Sequence, residues 1–168
     1  MLTYQHSGGR LGDVSQPRWL SEPEQRLWRA WRAMYQRLES TLDRDLARDS
    51  GLSGADYALL VPLSEAPDQR VRARELRNGV GWDRSRLAHH LRRMEQRGLL
   101  VREDCPTDAR GTIIRLTDEG RRAIEDAAPG HVAAVRWNFI DLLTEEEVTV
   151  LTSVAKRVND RLNEADNA

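Results

Sequence analysis

From Ser21 onward, apolar and charged positions alternate at helical rather than strand spacing. Trp28, Trp31, Tyr35, Leu38 and Leu42 recur at intervals of 3, 4, 3 and 4, and Leu46 follows four later. Leu27 and Met34 widen the stripe, so the spacing predicts a long amphipathic helix. Ser21 suits its N-cap, Glu22 and Glu24 its first turn, Pro23 an early position, and Ser50-Gly51 its end. A second helix is expected after Ser53, with Asp56 at capping-box spacing, Leu60 and Leu63 inward, and a stop near Pro67. Pro62 inside it predicts a kink. Towards the other end, Thr144 and Glu147 form a capping box, and Val148, Leu151, Ala155, Val158 and Leu162 repeat the 3, 4, 3, 4 spacing. Each terminal stripe can pack inside its own subunit or seal a bundle between subunits. Two seams flanking the central segment favour the bundle.

That central segment reads differently. Residues 72–78 predict a short helix with Ala73 and Leu76 inward, and Gly79-Val80-Gly81 a tight turn. Asp83 is placed to cap the next helix, which runs to Arg97 and stops at Gly98. Leu87, Leu91 and Met94 make one apolar stripe on it, while Arg84, Ser85, Arg86, His89, His90 and Arg93 fall largely off that stripe. Two short helices about a glycine turn, the second basic, read as a helix-turn-helix. Leu99-Leu100-Val101 then predicts a short strand, residues 104–111 a polar turn, and residues 112–116 a returning strand: a hairpin with a long charged tip. Thr117 caps a further helix with Asp118 and Glu119 in its first turn, and Pro129-Gly130 predicts a kink or break before Val132 and Val135 resume the pattern.

The fold class is therefore mainly α with a small β-hairpin wing, a winged helix-turn-helix flanked by N- and C-terminal dimerisation helices. Residues 1–17, with Gly8, Gly9, Gly12 and Pro17, read as a flexible N-terminal arm. Residues 18–50 form the N-terminal dimerisation helix, 51–117 the winged helix-turn-helix domain, and 118–168 the C-terminal dimerisation helices.

Charge changes the picture. The 168-residue chain carries a formal net charge of −1, which says nothing of nucleic acid. Between residues 70 and 115, however, twelve arginines face six acids, a net +6 against −7 for the remainder. A basic segment in an acidic body is the footprint of nucleic-acid binding. A solvated arginine-rich face is the alternative, since Lys156 is the sole lysine. No apolar run reaches membrane-span length, residues 1–10 lack a secretory apolar stretch, and the single cysteine, Cys105, fits a reducing compartment. A cytoplasmic protein with no membrane partner is expected.

The run DRSRLAHHLRRMEQRGLLVR at 83–102 closely resembles the recognition helix and first wing strand of MarR-family regulators. Pro106-Thr107-Asp108-Ala109-Arg110-Gly111 matches the family's Asp-x-Arg wing motif, and Leu116-Thr117-Asp118-Glu119-Gly120 its strand-to-helix junction. Element order from Ser21 to Leu162 also matches. The resemblance implies a homodimeric transcriptional regulator, a repressor in many relatives, on double-stranded DNA bearing an inverted repeat. It also implies release by a small aromatic or phenolic effector.

A helix fits the major groove, where arginine can pair with guanine through two hydrogen bonds worth roughly 1–3 kcal/mol of discrimination. Arg84, Ser85, Arg86, His89, His90 and Arg93 are the residues expected to meet bases or phosphates. Arg92, Arg93 and Arg97 read either as backbone contacts or as surface ion pairs. Arg110 at the wing tip can enter a narrow minor groove. By resemblance, Asp108 orients it, and Ala109 stands where many relatives carry another arginine.

Other chemistries fare less well. Adjacent His89 and His90 point about 100° apart on a helix, and no second cysteine completes a tetrahedral set with Cys105, so no metal or other cofactor is expected. Cys105 is either a redox sensor or an inert wing residue; without a resolving cysteine the second reading stands. No nucleophile elbow, phosphate loop or dinucleotide fingerprint points to an enzyme. A winged-helix module used only for protein contact remains the alternative to DNA binding. By resemblance, Trp28, Tyr35, Tyr57 and Trp137 are candidates for an effector pocket, although aromatic residues at helical spacing are more often core.

Overall fold

A computed structural model describes residues 17–105 and 108–166, with side chains for 17–105 and 111–164. The N-terminal arm up to residue 16 lies outside the described residues, as do Pro106 and Thr107 and the side chains of Asp108 and Arg110. Contacts divide the chain into two units between Gln36 and Arg37.

Helix α1 spans Glu22–Ser50. Its start follows the sequence: Glu24 accepts from the Ser21 N–H at 2.7 Å, and the Gln25 N–H donates to the Ser21 carbonyl at 2.9 Å. Gly51, at φ +68, ends it, a left-handed conformation that glycine reaches without a Cβ penalty. In the first unit Leu27, Trp28 and Trp31 stay exposed.

The second unit holds the core, and Leu46 is where α1 enters it. Helix α2, Gly54–Glu65, opens with the expected capping box: the Ser53 hydroxyl accepts from the Asp56 N–H at 3.1 Å, and Asp56 accepts from the Ser53 N–H at 3.0 Å. It continues through Pro62 to Glu65 and buries Leu59, Leu60 and Leu63 completely. The turn Pro67–Gln69 leads into a strand that the sequence did not announce, β1, Arg70–Arg72. Helix α3, Ala73–Val80, runs through Gly79, and the left-handed Gly81 alone closes it. Helix α4 covers Arg84–Gln96. Asp83 caps it by accepting from the Arg86 N–H at 2.9 Å, and Gly98 at φ +74 turns the chain out, with the Leu99 N–H reaching back to the Met94 carbonyl at 3.0 Å.

Strands β2, Leu100–Cys105, and β3, Asp108–Leu116, pair antiparallel, and β1 adds to the other edge of β3. The strands are longer and the tip shorter than the polar run at 104–111 predicts. Residues 104 and 105 remain paired, to Thr112 and Asp108, with a register shift between them. Charged residues sit in strand here because alternate positions face solvent: Arg102 and Asp104 are exposed while Leu100 and Cys105 are buried. Cys105, at 5% exposure, is therefore a core residue of the wing rather than an exposed one.

Of the kink or break expected at Pro129-Gly130, the break is absent: helix α5 is continuous over Asp118–Asn138. A proline there removes the hydrogen bond to the Glu125 carbonyl and crowds that group, and Glu125 is exposed, so the carbonyl can tilt towards water. A single 3-10 turn, Ile140–Leu142, precedes α6, Glu145–Asp166. The Thr144–Glu147 capping box forms as expected, with Glu147 accepting from the Thr144 N–H at 2.8 Å. The architecture is thus mainly helical with one three-stranded antiparallel sheet, the winged-helix arrangement.

Candidate nucleic-acid interface

Helix α4 divides into two faces. Leu87, Leu91 and Met94 are buried at 5% exposure or less, which fixes the helix against the core. Arg84, Ser85, Arg86, His89 and Arg93 are exposed on the remainder, and His90 is half-buried. The first turn contains no acid, so its two arginines add to the positive end of the helix dipole. Such a surface attracts phosphate and presents hydrogen-bond donors beyond it.

Two residues outside the expected set shape this face. Trp82, immediately before the cap, places its ring under the Arg86 guanidinium, 4.3 Å from ring centroid to Cζ. Its ring also lies 4.9 Å from that of His90. Burial lowers the His90 pKa below the ordinary histidine value, partly opposed by Asp56. His89 meets His90 edge-on at 5.7 Å.

The second residue is Asp56. Arg97 at the end of α4 donates to its carboxylate at 2.6 Å and to the Gly51 carbonyl at 2.9 Å. Of the two readings open for Arg97, the ion pair is the one formed. Burial pushes the Asp56 carboxyl up, but the Ser53 N–H, the Arg97 guanidinium and the Ser53 hydroxyl together outweigh it and hold the pKa below the usual carboxylate range. No spacing rule could have paired residues 41 apart.

At the wing, Glu103 receives Arg115 at 2.6 Å and faces Arg70 at 3.4 Å, a charge ladder across all three strands. Arg102 pairs with Glu95 and so joins β2 to the last turn of α4. The backbone of Arg110 belongs to β3. Among the described residues, no group of three or more histidine, cysteine, aspartate or glutamate side chains could hold a metal ion. No described helix is long and apolar enough to cross a membrane.

The four aromatic candidates for an effector pocket are distributed over both units. Trp28 and Tyr35 are exposed on the first unit. In the second, Tyr57 is half-buried and its ring stands 4.3 Å from that of His131, while Trp137 is 80% exposed.

Comparison with known proteins places this surface in context. A sequence model of the MarR family matches residues 50–111. HTH-type transcriptional regulator MhqR of Bacillus subtilis is 31% identical over 108 residues, covering 64% of this chain and 72% of that protein. Two structures from Streptomyces coelicolor are closer in identity. Sco3205, a MarR family transcriptional regulator crystallised in complex with DNA, is 44% identical at TM-score 0.85, covering 87% of this chain and 92% of that one. AbsC, a MarR family transcriptional regulator, is 38% identical at TM-score 0.84, covering 88% and 99%.

Proposed function

Because the chain belongs to the MarR family of DNA-binding transcriptional regulators, we propose that it acts as a homodimeric repressor on an inverted-repeat operator in the cytoplasm. The observation that carries this reading is the α4 face, whose exposed Arg84, Ser85, Arg86, His89 and Arg93 back onto a fully buried stripe. Arg84, Ser85, Arg86 and His89 contact bases or adjacent phosphates, with half-buried His90 beside them, and Arg93 holds the backbone. Arg110 enters the minor groove, oriented by Asp108.

Homodimerisation is supported by apolar side chains that nothing among the described residues covers. Val148, Val150, Val154, Val158 and Leu162 all remain exposed along α6. Residues 18–50 and 118–168 supply the dimer, with residues 51–117 as the DNA-binding domain between them. Two subunits place two α4 helices for two half-sites.

The test is fluorescence anisotropy on duplexes that the protein itself selects from a random-sequence pool, with scrambled competitor, across a salt series. Affinity should fall by about 10³-fold or more between 50 and 200 mM salt if six or more phosphates are neutralised. Two subunits should bind each duplex. Arg110→Ala should weaken binding to every duplex and leave the melting temperature unchanged. A pool yielding no preferred duplex at low salt would point to the protein-contact module instead.

Release by a small aromatic or phenolic compound completes the proposal, with Trp28 and Tyr35 of the first unit and Tyr57 and Trp137 of the second as separate candidate contacts. The effector must bind the DNA-competent and incompetent arrangements unequally. Titration with salicylate-like aromatics should give a saturable change in tryptophan fluorescence and weaken DNA binding in parallel. Saturation without any change in DNA affinity would remove the effector from the mechanism.

A further inference from the structure

We propose that Trp82 is a positioning residue for DNA readout: its indole holds the Arg86 guanidinium and the His90 ring in one fixed arrangement on the outward face of α4. The inference rests on the reading of Arg86 as a DNA contact. Trp82 lies outside the helix, between the left-handed Gly81 and the cap Asp83. Its own placement is over-determined. The backbone N–H donates to the Arg77 carbonyl at 3.3 Å, and the half-buried side chain packs against the core cluster. The indole is thus a rigid platform at the start of the recognition helix.

Two side chains one turn apart use that platform. Arg86 lies with its Cζ 4.3 Å from the ring centroid, within cation–π range, and tryptophan presents the strongest such face among the aromatic residues. His90, four residues on, meets the same ring at 4.9 Å and 45°. Burial and the neighbouring Arg86 charge both favour the neutral form of the His90 ring. A free arginine side chain loses much rotamer freedom when it docks on a base edge. Arg86 has surrendered part of that freedom before DNA arrives, and the planar guanidinium keeps its outer N–H donors available while stacked. The gain is realised only where Arg86 makes a directed contact, so it raises specific affinity and leaves nonspecific binding alone.

Anisotropy titrations on the selected duplex and on a scrambled duplex of equal composition test this, together with thermal melting of each variant. Trp82→Met keeps an apolar filler and removes the aromatic face; Trp82→Phe keeps a weaker face. Trp82→Met should lose about two- to fivefold in affinity for the selected duplex, from the loss of one exposed cation–π contact, with the scrambled duplex unaffected. Trp82→Phe should recover most of that loss. In an Arg86→Ala background, Trp82→Met should cost clearly less than it does in the parent protein, the remainder reporting His90. Additive effects of the two substitutions, equal losses on both duplexes, or no rescue by phenylalanine would each overturn the positioning role while leaving Arg86 as a contact. Arg86→Ala binding the selected duplex normally would instead remove Arg86 from the interface, and the role of Trp82 with it. Should Trp82→Met fail to fold, the Trp82→Phe and Arg86→Ala pair supplies the same cycle at smaller amplitude.

Discussion

Gly120→Ala is expected to destabilise the protein by at least about 3 kcal/mol, at the severe end of overpacking substitutions. A Cβ on Gly120 would stand 1.9 Å from the Leu99 carbonyl oxygen, 2.9 Å from its carbon and 2.7 Å from Leu116 Cδ1. Backbone cannot swing aside as a side chain can. Relief requires lifting the first turn of α5 away from the root of the wing. That movement would break the Thr117 N–H bond to the Leu99 carbonyl and the Thr117 hydroxyl bond to the Gly98 carbonyl. For a chain of this length the melting temperature should drop by roughly 6–12 °C. Gly130→Ala, on the same helix, is the control. Nothing lies within 4 Å of its Cβ position, and alanine should stabilise the helix by about 0.5–1 kcal/mol. Melts of both variants at one fixed protein concentration decide the matter. Tolerance of alanine at 120 within about 1 kcal/mol would refute the steric account.

Arg97→Ala is the second large effect. The Asp56 side chain is 6% exposed and would keep its buried position, whereas Arg97, at 38%, is free to be replaced by water. Removing one partner of a buried pair leaves the other uncompensated, and the exposure of the arginine reduces the expected loss to about 2 kcal/mol. The pH response carries a sharper signature. Asp56 has its folded pKa held below the usual carboxylate value, so its contribution is full at neutral pH and disappears as pH falls through that lowered pKa. Without Arg97, burial is opposed only by the two Ser53 bonds and the folded pKa rises. The acid loss of stability carried by Asp56 should therefore be smaller in the variant, and the gap between variant and parent should narrow as pH falls. Arg97→Lys should restore the charge but not the two-armed geometry that also reaches Gly51, giving an intermediate result. Urea denaturation between pH 3 and 7 measures all three; parallel pH profiles would show that Asp56 is not the group responsible.

Much of the fold was legible because local chemistry and periodicity agreed. The capping boxes at Ser53 and Thr144, the Asp83 cap and the Gly98 stop all sit where their residue types place them. Elements that owe their existence to distant partners were not legible. Strand β1 is three residues long and two-thirds arginine; it forms because Val71 pairs with Ile114 and Arg72 with Ile113 on β3. The polar run from residue 104 read as a turn, and the cross-strand Glu103–Arg115 bond that supports the strand beside it links residues 12 apart. Pro129 looked like a helix breaker because the rule counts the lost hydrogen bond and not the solvent that replaces it. At the interface, exposure along α4 follows from its apolar stripe. The braces did not follow: Trp82 lies outside the helical register, and Asp56 is reached only through the fold.

The two bonds from Thr117 to the carbonyls of Gly98 and Leu99 tie together chain segments that the whole wing separates. The wing leaves and returns through this stitched root, and β1 and the Arg102–Glu95 pair hold its base from either side. The base of the wing is accordingly locked to both helices that flank it, to α4 through Glu95 and to α5 through Thr117. A change at that base is transmitted to two helices at once.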